Sequence, residues 1–275
     1  MRAAPSLPVA ETAQSAAHPP QLEPGQRTIP SPGVGSGGGL GRGPFLPAPS
    51  PDVSCPAWLV RLGVTPYRAA WDYQERLAAA LRAGDGREAL ILLEHPHTYT
   101  LGRARGADHL LRTPEQYTAL DADVIQIDRG GDVTYHGPGQ LVGYPIIDLS
   151  RRQRDLHAYV RTLEAIVTDA LAAWGLRGEV IAGLTGVWVD GEKVAAIGIK
   201  AARWVTTHGF SLNVDPALAY FRHIVPCGIS GRGVTSVARL LGRRVSMDEA
   251  AEHVTAAVAR RLALALDPIP VDMLP

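Results

Sequence analysis

The chain reads as an α+β protein, with mixed or mainly antiparallel sheets and packed helices. Three observations carry this reading. An Asp-Gly pair at 190–191 sits between two apolar runs, the strongest short-range hairpin signal. Two long stretches, Asp155 to Trp174 and Met247 to Leu266, repeat apolar residues at helical spacing. The short apolar runs between them are joined by turns rather than by alternating helices, which favours hairpins over parallel βαβ units.

The N-terminal region stands apart. The first fifty of the 275 residues hold ten of the 22 prolines, eight glycines and one aromatic residue, Phe45. Such a segment buries too little apolar surface to offset the entropy of ordering. Residues 1–54 are therefore expected to be a disordered Pro/Gly-rich extension, and 55–275 the folded unit. Gly33, Gly35 and Gly38 formally match a dinucleotide-binding fingerprint, but no strand precedes them and no helix follows. The extension also lacks the charged-then-apolar order of a secretory signal.

From Pro66 to Ala83 the spacing of Tyr67, Ala70, Trp71, Leu77, Ala80 and Leu81 predicts a helix, ended by Gly84-Asp85-Gly86. Ala89 to Leu93 is a short buried strand closed by Glu94-His95-Pro96-His97, and Val124 to Ile127 is another. Gln140 to Leu149 continues as a strand, in which Pro145 suggests an edge or a bulge. Asp155 to Trp174 is an amphipathic helix stopped by Gly175. The hairpin follows, with Gly186 to Val189 and Lys193 to Ile199 as its strands. Val205 to Val214 is a further strand, and Met247 to Leu266 a closing helix.

Composition narrows the function. Formal net charge is zero and no basic run of five occurs, so neither nucleic acid nor an anionic membrane is an expected partner. No run approaches eighteen apolar residues. Two cysteines, Cys55 and Cys227, argue against a disulfide framework and for a reducing, cytoplasmic setting. His95 and His97 flank Pro96, which marks a strand exit more often than a ligand pair, so no metal site is expected.

The densest chemical signal is Arg129 to Leu149, RGGDVTYHGPGQLVGYPIIDL. Its glycines let backbone approach a ligand closely, and Tyr135 and His136 add polar handles, so the block reads as the floor of a site. Lysine is scarce: of 27 basic residues only Lys193 and Lys200 are lysines. Codon bias alone replaces lysine wherever charge suffices, which enriches the survivors for positions needing an amine that can lose its proton. Cys227 lies in a turn flanked by Pro226 and Gly228, a better place for a reactive thiol than the interior of an apolar element. A lysine ammonium beside it would favour thiolate. Ala195, Ala196 and Gly198 after Lys193 either leave room for a narrow apolar ligand or pack tightly under a helix. No P-loop occurs, since Val follows Lys193 and Ala follows Lys200.

Five segments, LLEHPHTYTLGR (92–103), the 129–149 block, GEKVAAIGIK (191–200), THGFSLNV (207–214) and IVPCGISGRGVTS (224–236), together resemble the octanoyltransferases of lipoate biosynthesis. The resemblance spans nearly all of 60–250 in the family's order. It implies the fold shared with biotin and lipoate protein ligases, and a catalytic domain over 55–275. It implies transfer of octanoyl from acyl carrier protein to a lysine of lipoyl domains through a cysteine thioester, without a cofactor. The implied acceptors are the lipoyl domains of 2-oxoacid dehydrogenase complexes and the glycine cleavage H protein. The family's nucleophile falls on Cys227 and its partner lysine on Lys193. Its substrate contacts fall on Arg129, Gly130, Gly131, Asp132, Val133, Thr134, Tyr135 and His136, on Ala196, Ile197 and Gly198, and on Gly209, Phe210 and Ser211. Backbone amides near Gly130-Gly131 or around Cys227 are the expected oxyanion donors. Lys200 stands where the family leads one to expect arginine. The alternative is an ATP-dependent lipoate or biotin ligase of the same fold, which would not depend on Cys227.

Overall fold

Alternating side chains along one apolar strand explain the layering. In the computed structural model, which describes residues 54–104, 106–225 and 232–273, strand β2 (Glu88–Glu94) is buried on both faces. Leu90 and Leu92 join one core, and Ala89, Ile91 and Leu93 join another. A strand covered on both sides reads as a continuous apolar run, as ALILL does. Cys227 and the extension before residue 54 lie outside the described residues.

The remaining elements are β1 (Cys55–Val64), α1 (Tyr67–Ala83), β3 (Thr98–Leu101), α2 (Pro114–Thr118), β4 (Asp123–Gln126), β5 (Val133–His136) and β6 (Gln140–Ile146). They are followed by α3 (Leu156–Ala173), β7 (Glu179–Ile181), β8 (Leu184–Val189), β9 (Glu192–Ala202), β10 (Val205–Asn213), α4 (Val237–Leu241), α5 (Met247–Leu262) and β11 (Leu264–Pro268). Eight strands form one sheet in the order β11-β1-β2-β6-β10-β9-β8-β7, and β4-β3-β5 form a second. In the large sheet only the β11–β1 and β1–β2 pairs are parallel. Helices α3 and α5 cover one face through Leu163, Ile166, Val254 and Val258, while α1 covers the other through Ala70, Leu77 and Leu81. The fold is α+β, as expected.

Local chemistry sets the helix ends. The Asp155 carboxylate accepts hydrogen bonds from the His157 and Ala158 amides at 2.8 and 3.0 Å, capping α3. Ser246 caps α5 by accepting from the Glu249 amide at 3.1 Å. Asp248 and Glu249 in its first turn and Arg260 and Arg261 in its last complement the helix dipole. In the β8–β9 hairpin Asp190 and Gly191 have φ of 50° and 80°, the tight turn that the pair predicts. Arg203 and Trp204 make a similar turn between β9 and β10, at φ of 52° and 67°, with no glycine to announce it.

Two expectations need correction. The closing helix stops at Leu262, not Leu266, because Ala263 adopts φ 49° and residues 264–268 pair with β1 instead. The apolar run continued the helical pattern, but the free edge of β1 recruits it, with the Cys55 amide donating to Ala263 O at 2.8 Å. Pro145 marks neither an edge nor a bulge: it lies on an interior strand between β2 and β10, and the register with each neighbour is the same on both sides of it. Its carbonyl accepts from the Thr206 hydroxyl at 2.9 Å, so its missing N–H also faces β10. There the ladder lapses between the Gly143–Phe210 and Asp148–Val205 pairs, and the His208 amide donates to Gln74 Oε1 at 2.7 Å instead.

Ile166 is fully buried in the core beneath α3. Ile166→Ala should lower the unfolding free energy by about 2–5 kcal/mol, measured by urea denaturation of the full chain.

Candidate active site

A β-bulge aims the lysine of the hairpin. Trp188 pairs with Lys193 but Val187 pairs with Ala195, so β9 carries one extra residue at Val194. Val194 is buried in the core, whereas Lys193 and Ala196 line one small cavity with Thr134, Ser211 and Asn213. Lys193 is only 8% exposed, and its ammonium stands 5.2 Å from the centre of the Trp188 ring. Gly186, at φ 130°, makes room for it, because a Cβ there would meet Lys193 Cε at 2.7 Å and Ala195 O at 2.6 Å. The Gly186 amide in turn donates to the buried Glu164 carboxylate at 3.1 Å. Burial pushes the Glu164 carboxyl up, against the Gly186 amide and Arg161.

The backbone of Lys193 ties down the chain that follows residue 231. Its amide donates to Gly233 O at 2.9 Å, and its carbonyl accepts from the Thr235 amide at 3.0 Å. The same segment is held from the opposite side. Asn213 Nδ2 donates to Thr235 O, Gln140 Nε2 donates to Asn213 Oδ1 at 2.9 Å, and Gln140 Oε1 accepts from His136 Nδ1 at 2.7 Å. His136 is buried and held well below its ordinary pKa, first by desolvation and then by neighbouring His95. It is thus neutral, with Nδ1 protonated.

Beside the lysine cavity runs a slot of about 40 Å³. The 129–136 block contributes Arg129, Gly131, Asp132, Thr134 and His136; β9 contributes Ala196, Ile197 and Gly198; β10 contributes Gly209, Phe210 and Ser211. These eleven candidate residues come together. Three others do not. Val133 and Tyr135 alternate to the far side of β5 and pack in a core with Tyr99 and Tyr117. Gly130 lines an adjoining open groove of about 510 Å³, next to Arg161, Thr185 and Ile199. Its amide donates to Ile199 O at 2.8 Å, which removes it from the expected oxyanion donors.

Close backbone approach shapes the slot. Gly198 pairs with Gly209, and a Cβ at Gly198 would meet Arg129 Cδ at 2.8 Å. That space lets the Arg129 side chain lie against Gly198 while it donates to the Thr100 carbonyl at 3.0 Å and hydroxyl at 2.9 Å. A Cβ at Gly209 would meet Gly143 O at 2.3 Å.

The sequence reading missed Tyr67, Val142, Tyr144 and His208, which complete the lining. Three of them belong to a hydrogen-bonded polar chain. His95 Nδ1 faces Thr65 O at 2.7 Å, an acceptor only, so that nitrogen is protonated and Nε2 accepts from the Tyr144 hydroxyl at 2.7 Å. The Tyr67 hydroxyl, which faces that of Tyr144, lies 3.3 Å from His208 Nδ1 and donates to it. His208 Nε2 meets Asp128 Oδ1 at 2.9 Å, and Lys200 bridges Asp128 and Glu75. Burial pushes the Tyr67 hydroxyl up to about 12, raises Tyr144 well above its ordinary value, and lowers His208 despite Asp128. Every member of the chain is neutral near pH 7 except the Asp128–Lys200 end. Among the described residues no three His, Cys, Asp or Glu side chains are placed to hold a metal ion.

Comparison with known proteins follows the same contour. Residues 66–259 match the family model of the lipoyl protein ligase A/B catalytic domain. An octanoyltransferase of Chloroflexus aurantiacus is 51% identical over 206 residues, covering 74% of this chain and 92% of the relative. One from Gloeobacter violaceus is 47% identical over 211 residues, covering 76% and 92%. A crystal structure of lipoate-protein ligase A bound with ATP superposes with a TM-score of 0.67 at 17% identity, covering 79% of this chain and 90% of that one. A bipartite lipoate protein ligase from Thermoplasma acidophilum, described with its E2 lipoyl domain, gives 0.63 at 16% identity, covering 78% and 87%. The last two show the fold alone.

Burial drives the His95 pKa down to about 4. Its folded value lies below the unfolded 6.5, so the unfolded chain binds the proton more tightly. The linked stability is complete above pH 6.5 and is lost as pH falls towards 4, by about 3 kcal/mol. Urea midpoints should fall over that window, and His95→Gln should flatten the slope.

Proposed function

The chain belongs to the lipoyl protein ligase A/B catalytic domain family, and within it to the octanoyltransferases, the acyltransferases of protein lipoylation; on that premise we propose a cysteine-thioester mechanism. It acts on lipoyl-domain proteins. The donor is octanoyl-acyl carrier protein, the nucleophile is Cys227 and its partner is Lys193. The supporting observation is the pair of backbone hydrogen bonds between Lys193 and Gly233 and Thr235. They anchor the chain a few residues beyond Cys227 against the one buried lysine at the end of the slot.

In the first half-reaction the Cys227 thiolate attacks the octanoyl thioester carbonyl. The carbon–sulfur bond to the carrier breaks, and the departing thiolate takes a proton from the Lys193 ammonium. In the second, a lipoyl-domain lysine amine attacks the octanoyl-Cys227 thioester and gives its proton to neutral Lys193. Collapse forms the amide and restores the Cys227 thiolate. With the Gly130 amide engaged, the Gly131 amide or backbone amides around Cys227 stabilise the oxyanion. Shielding the acyl tail in the slot contributes about 0.8 kcal/mol per methylene.

The catalytic unit is 55–275, the 1–54 segment is an appendage, and the setting is the reducing cytoplasm, where Cys227 stays a thiol. No helix among the described residues is long and apolar enough to cross a membrane.

Mixing the protein with octanoyl-acyl carrier protein, without ATP, should give a hydroxylamine-labile octanoyl adduct on Cys227 by intact mass and peptide mapping. Added lipoyl domain should discharge it. Modification that instead requires ATP and free octanoate would assign the chain to the ligases. Lys193→Arg keeps the charge but cannot release a proton, so turnover should drop about a hundredfold or more. Turnover near wild type would limit Lys193 to an electrostatic role.

A further inference from the structure

The slot has a direction. On β9 its lining runs from Ala196 to Gly198, away from Lys193; on β10 from Ser211 to Gly209; on β6 from Val142 to Tyr144. Ser211 pairs with both Ala196 and Val142, and Gly209 with Gly198, so the three strands advance in step. At the far end stand Tyr67, Tyr144 and His208, all buried. From Ser211 to His208 is three strand residues, about 10 Å. An extended eight-carbon acyl chain fills that length.

We propose that the Tyr67–Tyr144–His208 wall is the ruler that limits the acyl chain to about eight carbons. The inference rests on the octanoyl-transfer reading and names the residues that set its chain length. The wall is fixed from behind. His95 holds the Tyr144 hydroxyl and Asp128 holds the His208 ring. Gln74 holds the His208 backbone, and the Trp71 ring lies 6.0 Å from that of His208 and 6.5 Å from that of Tyr67. His208 also sits at φ 59°, a left-handed conformation unusual for a residue with a side chain. That strain coincides with the ladder gap opposite Pro145 and turns the ring from the sheet into the end of the slot. A longer chain that ran straight on would have to pull the Tyr144 hydroxyl from His95 or the Tyr67 hydroxyl from His208 and leave them unpaired, unless it turned past Gly131 and Gly198 into the adjoining groove. The slot therefore resists lengthening by simple rotamer change.

The test uses the full chain with octanoyl, decanoyl and dodecanoyl carrier-protein thioesters in competition, and free fatty acids of the same lengths in binding titrations. Wild type should discriminate against dodecanoyl, and Tyr67→Ala and His208→Ala should each raise the dodecanoyl-to-octanoyl ratio of kcat/KM about tenfold or more. Tyr67→Phe keeps the ring and should keep the octanoyl preference, which separates volume from hydrogen bonding. Thermal melts establish that each variant is folded; if Tyr67→Ala is not, His208→Ala and the smaller change Tyr67→Leu carry the test. An unchanged chain-length ratio in folded variants that still transfer octanoyl would overturn the ruler alone. Failure of the wild type to transfer octanoyl or bind octanoate would instead overturn the reading beneath it.

Discussion

The register of three central strands governs this protein. β6, β10 and β9 advance together, and it is their alignment that brings Gly143, Gly198 and Gly209 to points where a Cβ would strike a neighbouring carbonyl, side chain or ring. Shifting any one of them by a residue would fill the slot with a side chain and turn its polar lining towards the apolar cores. Close backbone approach is costly in entropy because glycine loses the most freedom on folding. Here that cost yields a narrow slot of about 40 Å³.

Around this floor the molecule separates two electrostatic environments. At one end a buried lysine lies among Trp188, Gly186 and the strand backbone, with the Glu164 carboxylate one hydrogen bond away from Gly186. At the other end histidines and tyrosines are packed so deeply that desolvation keeps them neutral. The far wall is neutral and hydrogen-bonded through His95–Tyr144 and Tyr67–His208, whereas the other end holds a lysine. The fold keeps the two apart by the length of the slot. A continuous hydrogen-bonded rail of His136, Gln140, Asn213 and Thr235 leads from the small sheet across the large one to the Lys193 backbone.

Much of this was legible in the residues. The Asp190-Gly191 turn, the two long helices and the apolar β2 follow from short-range rules, since each depends on neighbours within a few positions. Lys193 stood out by scarcity and the 129–136 block by its glycines. The errors arose where a distant partner decided the outcome. Leu264 to Leu266 carries a helical pattern, yet the edge of β1 makes it a strand. Pro145 signals an edge, yet an interior position tolerates it because His208 gives its amide to Gln74 on a different element. Val133 and Tyr135 fell within a ligand-binding motif, but strand alternation sends them to the opposite face.

The sequence alone determined the α+β class and the family, because these are written in local pattern and in motif order. Only the tertiary structure decided which motif residues face the slot, that Tyr67, Tyr144 and His208 line its far end, and that the Gly130 amide is already engaged. Those facts depend on register, on a one-residue bulge at Val194 and on contacts between residues as distant as 67 and 208. No periodicity within a single element encodes them.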